Sequence, residues 1–148
     1  MNMDLPSTTA AVDRLADFYE TLSPASLDCL DALYAADARF KDPFNEVQGV
    51  AAIRRIFEHM FVSVDTPRFV VTARIVDGDQ AMLGWDFHLT LRGRGLVVRG
   101  VSHLRFDTGA KLVLHRDYWD PAADLYANLP LIGSLMRALR RKLSVGAC

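Results

Sequence analysis

Apolar residues recur every three or four positions in three segments of the first part of the chain. Side chains at this spacing share one face of a helix, so the pattern predicts helices over about 10–22, 25–34 and 50–62. Ser or Thr at 7–9 provides an N-cap for the first of them. The apolar stripe of the first helix is Val12, Leu15, Phe18, Tyr19 and Leu22, and that of the third is Ile53, Ile56, Phe57, Met60 and Phe61.

The strands are predicted from a period of two. A short strand over 38–42 is followed by a loop over 43–49, because Pro43 cannot donate a ladder hydrogen bond and Gly49 is typical of a turn. The turn-like sequences DGDQ, RGRG and DTGA separate later alternating segments, so we expect an antiparallel meander. Helices followed by such a sheet are typical of the α+β class. The four later strands are predicted over 68–76, 80–92, 96–107 and 111–119.

Beyond Asp120-Pro121 the pattern becomes helical again and predicts an amphipathic, basic C-terminal helix. We therefore expect one domain over 1–148, with a core at about 8–120 and a helical extension at about 121–145. The predicted apolar stripe comprises Leu129, Ile132, Leu135, Met136, Leu139 and Leu143, and the basic cluster comprises Arg137, Arg140, Arg141 and Lys142.

Composition narrows the functional classes. The chain has 148 residues, 51% of them hydrophobic and 24% charged, and a formal net charge of -1, so bulk charge does not favour nucleic acid as a partner. No apolar run approaches the roughly 20 residues of a membrane span. The start of the chain lacks the basic and apolar regions of a signal peptide, so we expect a cytoplasmic protein. Dinucleotide, phosphate-loop and metal-ligand motifs are missing from the sequence, so no cofactor or metal is expected.

Four sequence segments resemble the nuclear transport factor 2-like superfamily, which includes ketosteroid isomerases and SnoaL-like polyketide cyclases. These segments are FYETLSPASLDCLDALYAADARFKDP, QGVAAIRRIF, VSHLRFD and KLVLHRDYWD. The resemblance implies a cystatin-like cone, in which N-terminal helices pack on a strongly bent mixed sheet around a deep apolar pocket. It also implies a homodimer through the outer sheet face, where polar side chains are interleaved with Val97 and Val101. These polar side chains are Asp86, His88, Arg99, His103 and Arg105.

The resemblance assigns roles at three positions. Asp42 matches the general base in the acid-Pro dipeptide that closes the first strand. Phe18 stands where the isomerases have an oxyanion-donating tyrosine, with Tyr19 one residue further on, and Ser102 stands where they have a protonated carboxylic acid. Since Phe18 has no donor and a serine hydroxyl is weaker than the acid, steroid isomerisation is disfavoured.

Strand alternation predicts which side chains share the pocket. Asp42 and Phe40 point inward together, and so does Ser102 on its own strand. The last strand is ambiguous from its residues alone: His115, Asp117 and Trp119 point inward, or Leu112, Leu114, Arg116 and Tyr118 do. The resemblance favours the first choice. The predicted catalytic set is then Asp42, His115 and Asp117, in a pocket lined by Phe18, Tyr19, Phe40, Phe57, Trp85, Phe87, Leu89, Ser102 and Trp119.

These residues indicate a cofactor-free isomerase, cyclase or hydratase that transfers a proton on a small apolar oxygenated molecule. Two structural alternatives stand beside this hypothesis. Asp42 before Pro43 is a common turn former, and His115 with Asp117 is compatible with a purely structural pair.

Two functional alternatives also remain. One is a non-catalytic binding protein for an apolar or lipid-like ligand, in peripheral contact with a membrane through residues 129–143. The other is a protein-protein adaptor, as in the transport-factor branch of the superfamily.

Overall fold

The computed structural model describes residues 7–128, 130 and 132–143. Helix α1 begins where the Ser7 hydroxyl accepts a hydrogen bond from the Ala10 amide, as the cap prediction required. The helices are α1 (Thr8–Glu20), a 3-10 helix (Ala25–Cys29), α2 (Leu30–Leu33) and α3 (Val50–Ser63). The strands are β1 (Tyr34–Lys41), β2 (Glu46–Gln48), β3 (Asp65–Asp77), β4 (Gln80–Leu91), β5 (Arg94–Phe106) and β6 (Leu112–Trp119).

The strands form one six-stranded sheet in the order β2-β1-β6-β5-β4-β3. Strands β3 to β6 form the predicted antiparallel meander, whereas β1 pairs with β6 in parallel, so the sheet is mixed. This topology and the packing of the N-terminal helices confirm the predicted α+β cone. The β1–β6 pairing sets Phe40 opposite His115, which brings the end of the first strand beside the candidate residues of the last.

The start of β1 differs from the prediction. The second helical segment ends at Leu33, and β1 begins at Tyr34, four residues earlier than expected. An irregularity in the β1–β6 register follows Tyr34, and it allows the buried Tyr34 to pair with Leu112. Asp42 lies one residue beyond β1, and the predicted loop contains the short strand β2. Helical and strand periodicities overlap here, and pairing with the distant β6 decides between them.

Two apolar clusters fill the cone. The larger packs α1 and α3 on β1 and the inner sheet face, around Leu15, Ile53 and Leu104. The smaller surrounds Trp85 and includes Leu89. Gly100 pairs with Trp85 across β4–β5, and a side chain at position 100 would collide with the six-membered ring of the indole. The absence of that side chain lets Trp85 lie flat on β5.

The chain continues through α4 (Pro121–Asp124), a 3-10 turn (Tyr126–Asn128) and α5 (Ile132–Leu143), which confirms a C-terminal helix. Ile132 and Leu135 on α5 are 50% and 59% exposed. Leu129, residues 144–145 and the side chains of Met136, Leu139, Arg140 and Leu143, all named in the prediction, lie outside the described residues. Within the described part of the chain, α5 included, no helix has the length and apolar character of a membrane span.

The outer sheet face carries exposed apolar side chains on neighbouring strands. Val101 on β5 pairs directly with Tyr118 on β6, and Met82 lies on the adjacent β4. Charged side chains surround them, including Asp86, which lies 3.9 Å from Arg99. The homodimer expected through this face stays a prediction.

Candidate functional site

His115 is the centre of a buried polar network on β6. Its side chain is 0% exposed, while the Asp117 side chain is 17% exposed. Leu114 and Arg116 lie on the other side of the strand, where they border an outer groove with Arg39. The inward parity of His115 and Asp117 agrees with the choice that the resemblance favoured.

Three groups surround the imidazole of His115. Nε2 lies 2.7 Å from Oδ1 of Asp117, and Nδ1 lies 2.6 Å from Oη of Tyr34. The hydroxyl of Tyr19 on α1 lies 3.1 Å from both Nδ1 and the Tyr34 hydroxyl. Helix α1, the first residue of β1 and the inner face of β6 therefore meet at one histidine.

A second chain of hydrogen bonds reaches Asp117 from β4 and β5. Trp85 Nε1 donates to Ser102 Oγ at 2.9 Å, and Ser102 Oγ donates to Asp117 Oδ1 at 2.5 Å. Oδ1 thus faces two donors, Ser102 and His115. The second carboxylate oxygen, Oδ2, has no hydrogen-bond partner among the described residues. It is the acceptor that Asp117 leaves free.

One proton assignment satisfies every member of this network. Tyr19 donates to Tyr34, Tyr34 donates to Nδ1 of His115, and Nε2–H donates to Asp117, which also accepts from Ser102. The imidazole is then neutral and the carboxylate is ionised. Both chains end on Oδ1, so the network fixes the rotation of the carboxylate and the position of Oδ2.

Asp117 borders a cavity of about 180 Å³ inside the cone. Among the residues predicted for the pocket, Tyr19, Phe40, Phe57, Trp85, Phe87 and Trp119 line this cavity. Sequence reasoning missed several other lining residues, which come from β3, α3, the β1–β2 turn and β5. These are Phe69, Ile56, Met60, His59, Asn45 and Val98.

The remaining predicted pocket residues are buried but do not line the cavity. Phe18 packs edge-on against Phe57 on the helical side, with ring centroids 6.2 Å apart. Leu89 belongs to the smaller apolar cluster. Ser102 and His115 lie behind the cavity wall, where both hydrogen-bond to Asp117. Ser102 also contacts the lining residue Trp85, and His115 also contacts Tyr19. The resemblance placed the hydroxyl donor at Phe18, but the residue of α1 that lines the cavity is its neighbour Tyr19.

Asp42 occupies the mouth of the cavity and also shapes the turn that follows β1. Its Oδ1 accepts hydrogen bonds from the amides of Phe44 and Asn45, at 2.8 and 2.6 Å. The Asn45 side chain lies 3.1 Å from both carboxylate oxygens. These contacts are typical of an Asp residue that forms a turn. They occupy both carboxylate oxygens of Asp42, which would have to be free to accept a proton from a substrate. Asp117 is the better placed carboxylate for proton transfer.

A larger groove of about 410 Å³ lies on the opposite side of the sheet. It is bordered by Arg39, Lys41 and Arg116 and is more open to solvent. The buried network does not reach it, since His115 and Asp117 point into the cone. The inner cavity is therefore the candidate functional site.

Burial keeps the two tyrosines of the network in their neutral form. It raises the pKa of Tyr19 well above its ordinary value, and the nearby Tyr34 and Asp117 act in the same direction. Burial also raises the pKa of Tyr34, although the hydrogen bond from Tyr19 opposes this shift and Asp117 adds to it. Both groups therefore remain hydrogen-bond donors at neutral pH.

These shifts predict an alkaline loss of stability. Above about pH 10 the unfolded chain releases tyrosine protons that the folded chain retains, so the free energy of unfolding falls as pH rises. Below that pH the contribution is fully present. Each tyrosine should contribute a slope of about -1.4 kcal/mol per pH unit. Urea unfolding between about pH 9 and pH 11 measures this slope, and Tyr34→Phe should make it shallower. An identical slope in the variant would contradict the prediction.

Comparisons with known proteins agree with the fold. A family model described as a SnoaL-like domain matches residues 15–115. No curated protein matches the sequence. Three solved structures from bacteria have TM-scores of 0.68 or 0.69 with this chain at identities of 17–20%, a level at which the likeness shows the fold alone.

The first of these structures is an LEH-like epoxide hydrolase of M. tuberculosis, at 20% identity and a TM-score of 0.69, over 90% of this chain and 98% of that one. The second is described as a SnoaL-like polyketide cyclase from Jannaschia sp. (17%, TM-score 0.69, over 78% and 87%). The third is a protein with a ketosteroid isomerase-like fold from Catenulispora acidiphila in complex with trimethylamine (19%, TM-score 0.68, over 80% and 92%).

Proposed function

This chain belongs to the SnoaL-like domain family, and from that membership and its site we propose that it is a cofactor-independent acid-base catalyst for a small apolar oxygenated molecule. The observation that carries the proposal is the free Oδ2 of Asp117 at an aromatic-lined cavity, with Oδ1 held by Ser102 and His115. A carboxylate positioned in this way is suited to general-base catalysis.

The proposed reaction begins with proton abstraction. Oδ2 of Asp117 takes a proton from a carbon next to a carbonyl, and the electron pair of the broken C–H bond moves onto the carbonyl oxygen. Tyr19 contributes the only hydroxyl among the described cavity-lining residues. Its O–H turns from Tyr34 to the developing oxyanion, where a preorganised donor lowers the barrier. Return of the proton from Asp117 to a different carbon completes an isomerisation. In a cyclisation the enolate carbon attacks a second carbonyl carbon, and the alkoxide formed from that carbonyl takes the proton from Asp117.

The size of the cavity supports a small substrate. About 180 Å³ is below the roughly 300–1,000 Å³ of sites for drug-sized ligands. Steroid isomerisation remains disfavoured for this reason as well as for the loss of the second oxyanion donor at Ser102, which here donates to Asp117.

Ring opening of 5-nitrobenzisoxazole tests the proposal without knowledge of the substrate. This planar probe needs only a base: removal of its ring proton forms a nitrile, breaks the N–O bond and releases a coloured phenolate. We expect saturable ring opening by the intact chain, faster than in acetate at the same carboxylate concentration, because desolvation strengthens a positioned base. Rates no higher than those of acetate would contradict general-base catalysis. Cyclohexene oxide, assayed in parallel, tests the hydrolysis named for one structural neighbour.

A second candidate function is reversible binding at an anionic membrane, and the exposed Ile132 and Leu135 beside exposed Arg137, Arg141 and Lys142 on α5 favour it. We expect the full chain to float with vesicles of phosphatidylglycerol and less with vesicles of phosphatidylcholine. Replacement of Arg141 and Lys142 by Glu should abolish the preference for phosphatidylglycerol vesicles, because each cation removed costs about 1 kcal/mol of binding free energy at an anionic surface. Equal flotation of the parent and the variant on both vesicles would exclude this function.

A further inference from the structure

The cavity combines two carboxylates with a wall of aromatic rings. Asp42 and Asp117 both line it, and its described lining contains no Lys or Arg. The cationic side chains Arg39, Lys41 and Arg116 instead border the outer groove. Hydrogen bonds from Asn45 to Asp42, and from Ser102 and His115 to Asp117, stabilise these carboxylates but leave two negative charges beside an apolar cavity. The described lining offers one side chain that can become cationic, His59, whose ring lies 3.2 Å from Ser63 on its own helix. A bound ligand is therefore the available source of a permanent positive charge.

The aromatic rings of the cavity are arranged as adjoining walls. Phe69 stacks parallel to Phe87 at a centroid distance of 4.3 Å, and it meets Trp85 nearly at a right angle at 5.6 Å. Trp119 lines the same cavity and is covered on its outer side by Phe44, 5.5 Å away. Aromatic rings from β3, β4 and β6 thus surround one small volume. A cation over the face of such a ring gains about 0.5–2 kcal/mol for each well-placed ring.

We propose that the ligand of this cavity carries a small tertiary or quaternary ammonium group. An alkylated ammonium has few or no N–H donors, so it needs charge and aromatic contact rather than hydrogen bonds. Asp42, whose oxygens face Asn45, acts on it through charge alone, and Oδ2 of Asp117 stays available to react. This ligand keeps the alkyl and oxygenated character of the substrate proposed above and adds one positive charge to it, and the role of Asp117 rests on the proposed function. An ammonium group next to the reacting carbon also makes its C–H bond more acidic.

Choline and 3,3-dimethyl-1-butanol form a matched pair of probes. They have the same shape, and a neutral tert-butyl group replaces the trimethylammonium group in the second. The chain has two tryptophans, Trp85 and Trp119, and both line the cavity, so their fluorescence reports binding. We expect choline to change the fluorescence saturably with a Kd at least about tenfold lower than that of the alcohol, a difference that corresponds to about 1.4 kcal/mol. Equal dissociation constants, or no saturable change with choline, would overturn the inference.

Variants identify the carboxylates. Asp42→Asn retains a good turn-forming residue and Asp117→Asn retains the side-chain shape, and each should weaken choline binding without weakening that of the alcohol. Asp37→Asn, on the exposed side of β1, is the matched control and should change neither. Ring opening of 5-nitrobenzisoxazole by the same samples separates the two proposals. Ring opening with equal binding of both probes overturns only the ammonium ligand, whereas selective choline binding without ring opening overturns only the catalytic function.

Discussion

Replacement of Asp117 by Asn is expected to lower the rate of 5-nitrobenzisoxazole ring opening by about 10²–10⁴-fold, the usual contribution of a general base. Asn has nearly the same shape, and its amide oxygen still accepts hydrogen bonds from Ser102 and His115. What it lacks is a carboxylate oxygen facing the cavity. The loss should therefore be in kcat, with a smaller change in KM. Stopped-flow or steady-state absorbance of the phenolate measures both parameters.

The folded state should tolerate this substitution. The hydrogen bonds to Asp117 become neutral ones, which costs about 1 kcal/mol of unfolding free energy. Urea unfolding of the variant checks that the fold is kept, so that a fall in the rate reflects the lost carboxylate. Asp37→Asn provides the same chemical change on an exposed side chain and should retain the parent rate. A full rate in Asp117→Asn would rule out Asp117 as the base, and a loss in Asp37→Asn would show that the assay reports a general effect.

Local periodicity predicted most of the elements but not the exact start of β1. Residues 30–33 are helical and Tyr34 is already extended, because Tyr34 pairs with Leu112 from the far end of the chain. A sequence pattern contains no information on that pairing. The last strand was ambiguous for a related reason. His115 and Asp117 lie on one face of this strand, and Arg116 and Tyr118 lie on the other. The pairing of β6 with β1 and β5 decides which of these faces points into the cone.

The sequence predicted which strands and helices contribute to the candidate site better than it predicted the contacts between their side chains. Phe18 and Tyr19 both belong to the apolar stripe of α1, and the rotation of the helix on the sheet decides which of them lines the cavity. Ser102 was expected to stand in for an oxyanion donor, whereas in the structure it links Trp85 to Asp117. The partnership of Tyr34 with His115 had no local signal, since the two residues are 81 positions apart.

Replacement of His115 by Leu is expected to lower the free energy of unfolding by about 3–5 kcal/mol. The two side chains have similar volumes, so the effect comes from polarity. The change leaves the buried hydroxyl of Tyr34 without its acceptor and Oδ1 of Asp117 without one of its two donors. Tyr19→Phe is the matched comparison: it removes one hydroxyl but leaves the bond from Tyr34 to His115 intact, so it should cost only about 1 kcal/mol.

The conservative variant His115→Gln distinguishes a positioning role from a purely structural one. The amide nitrogen of Gln can replace Nε2 as a donor to Asp117, but it cannot accept from Tyr34 in the geometry of Nδ1. If His115 positions the carboxylate, kcat on 5-nitrobenzisoxazole should fall strongly in His115→Leu and recover in His115→Gln, even though stability recovers only in part. If kcat changes only in proportion to the free energy of unfolding across the parent, His115→Gln and His115→Leu, then His115 has a structural role only. Unchanged stability in His115→Leu would contradict the hydrogen-bond network itself.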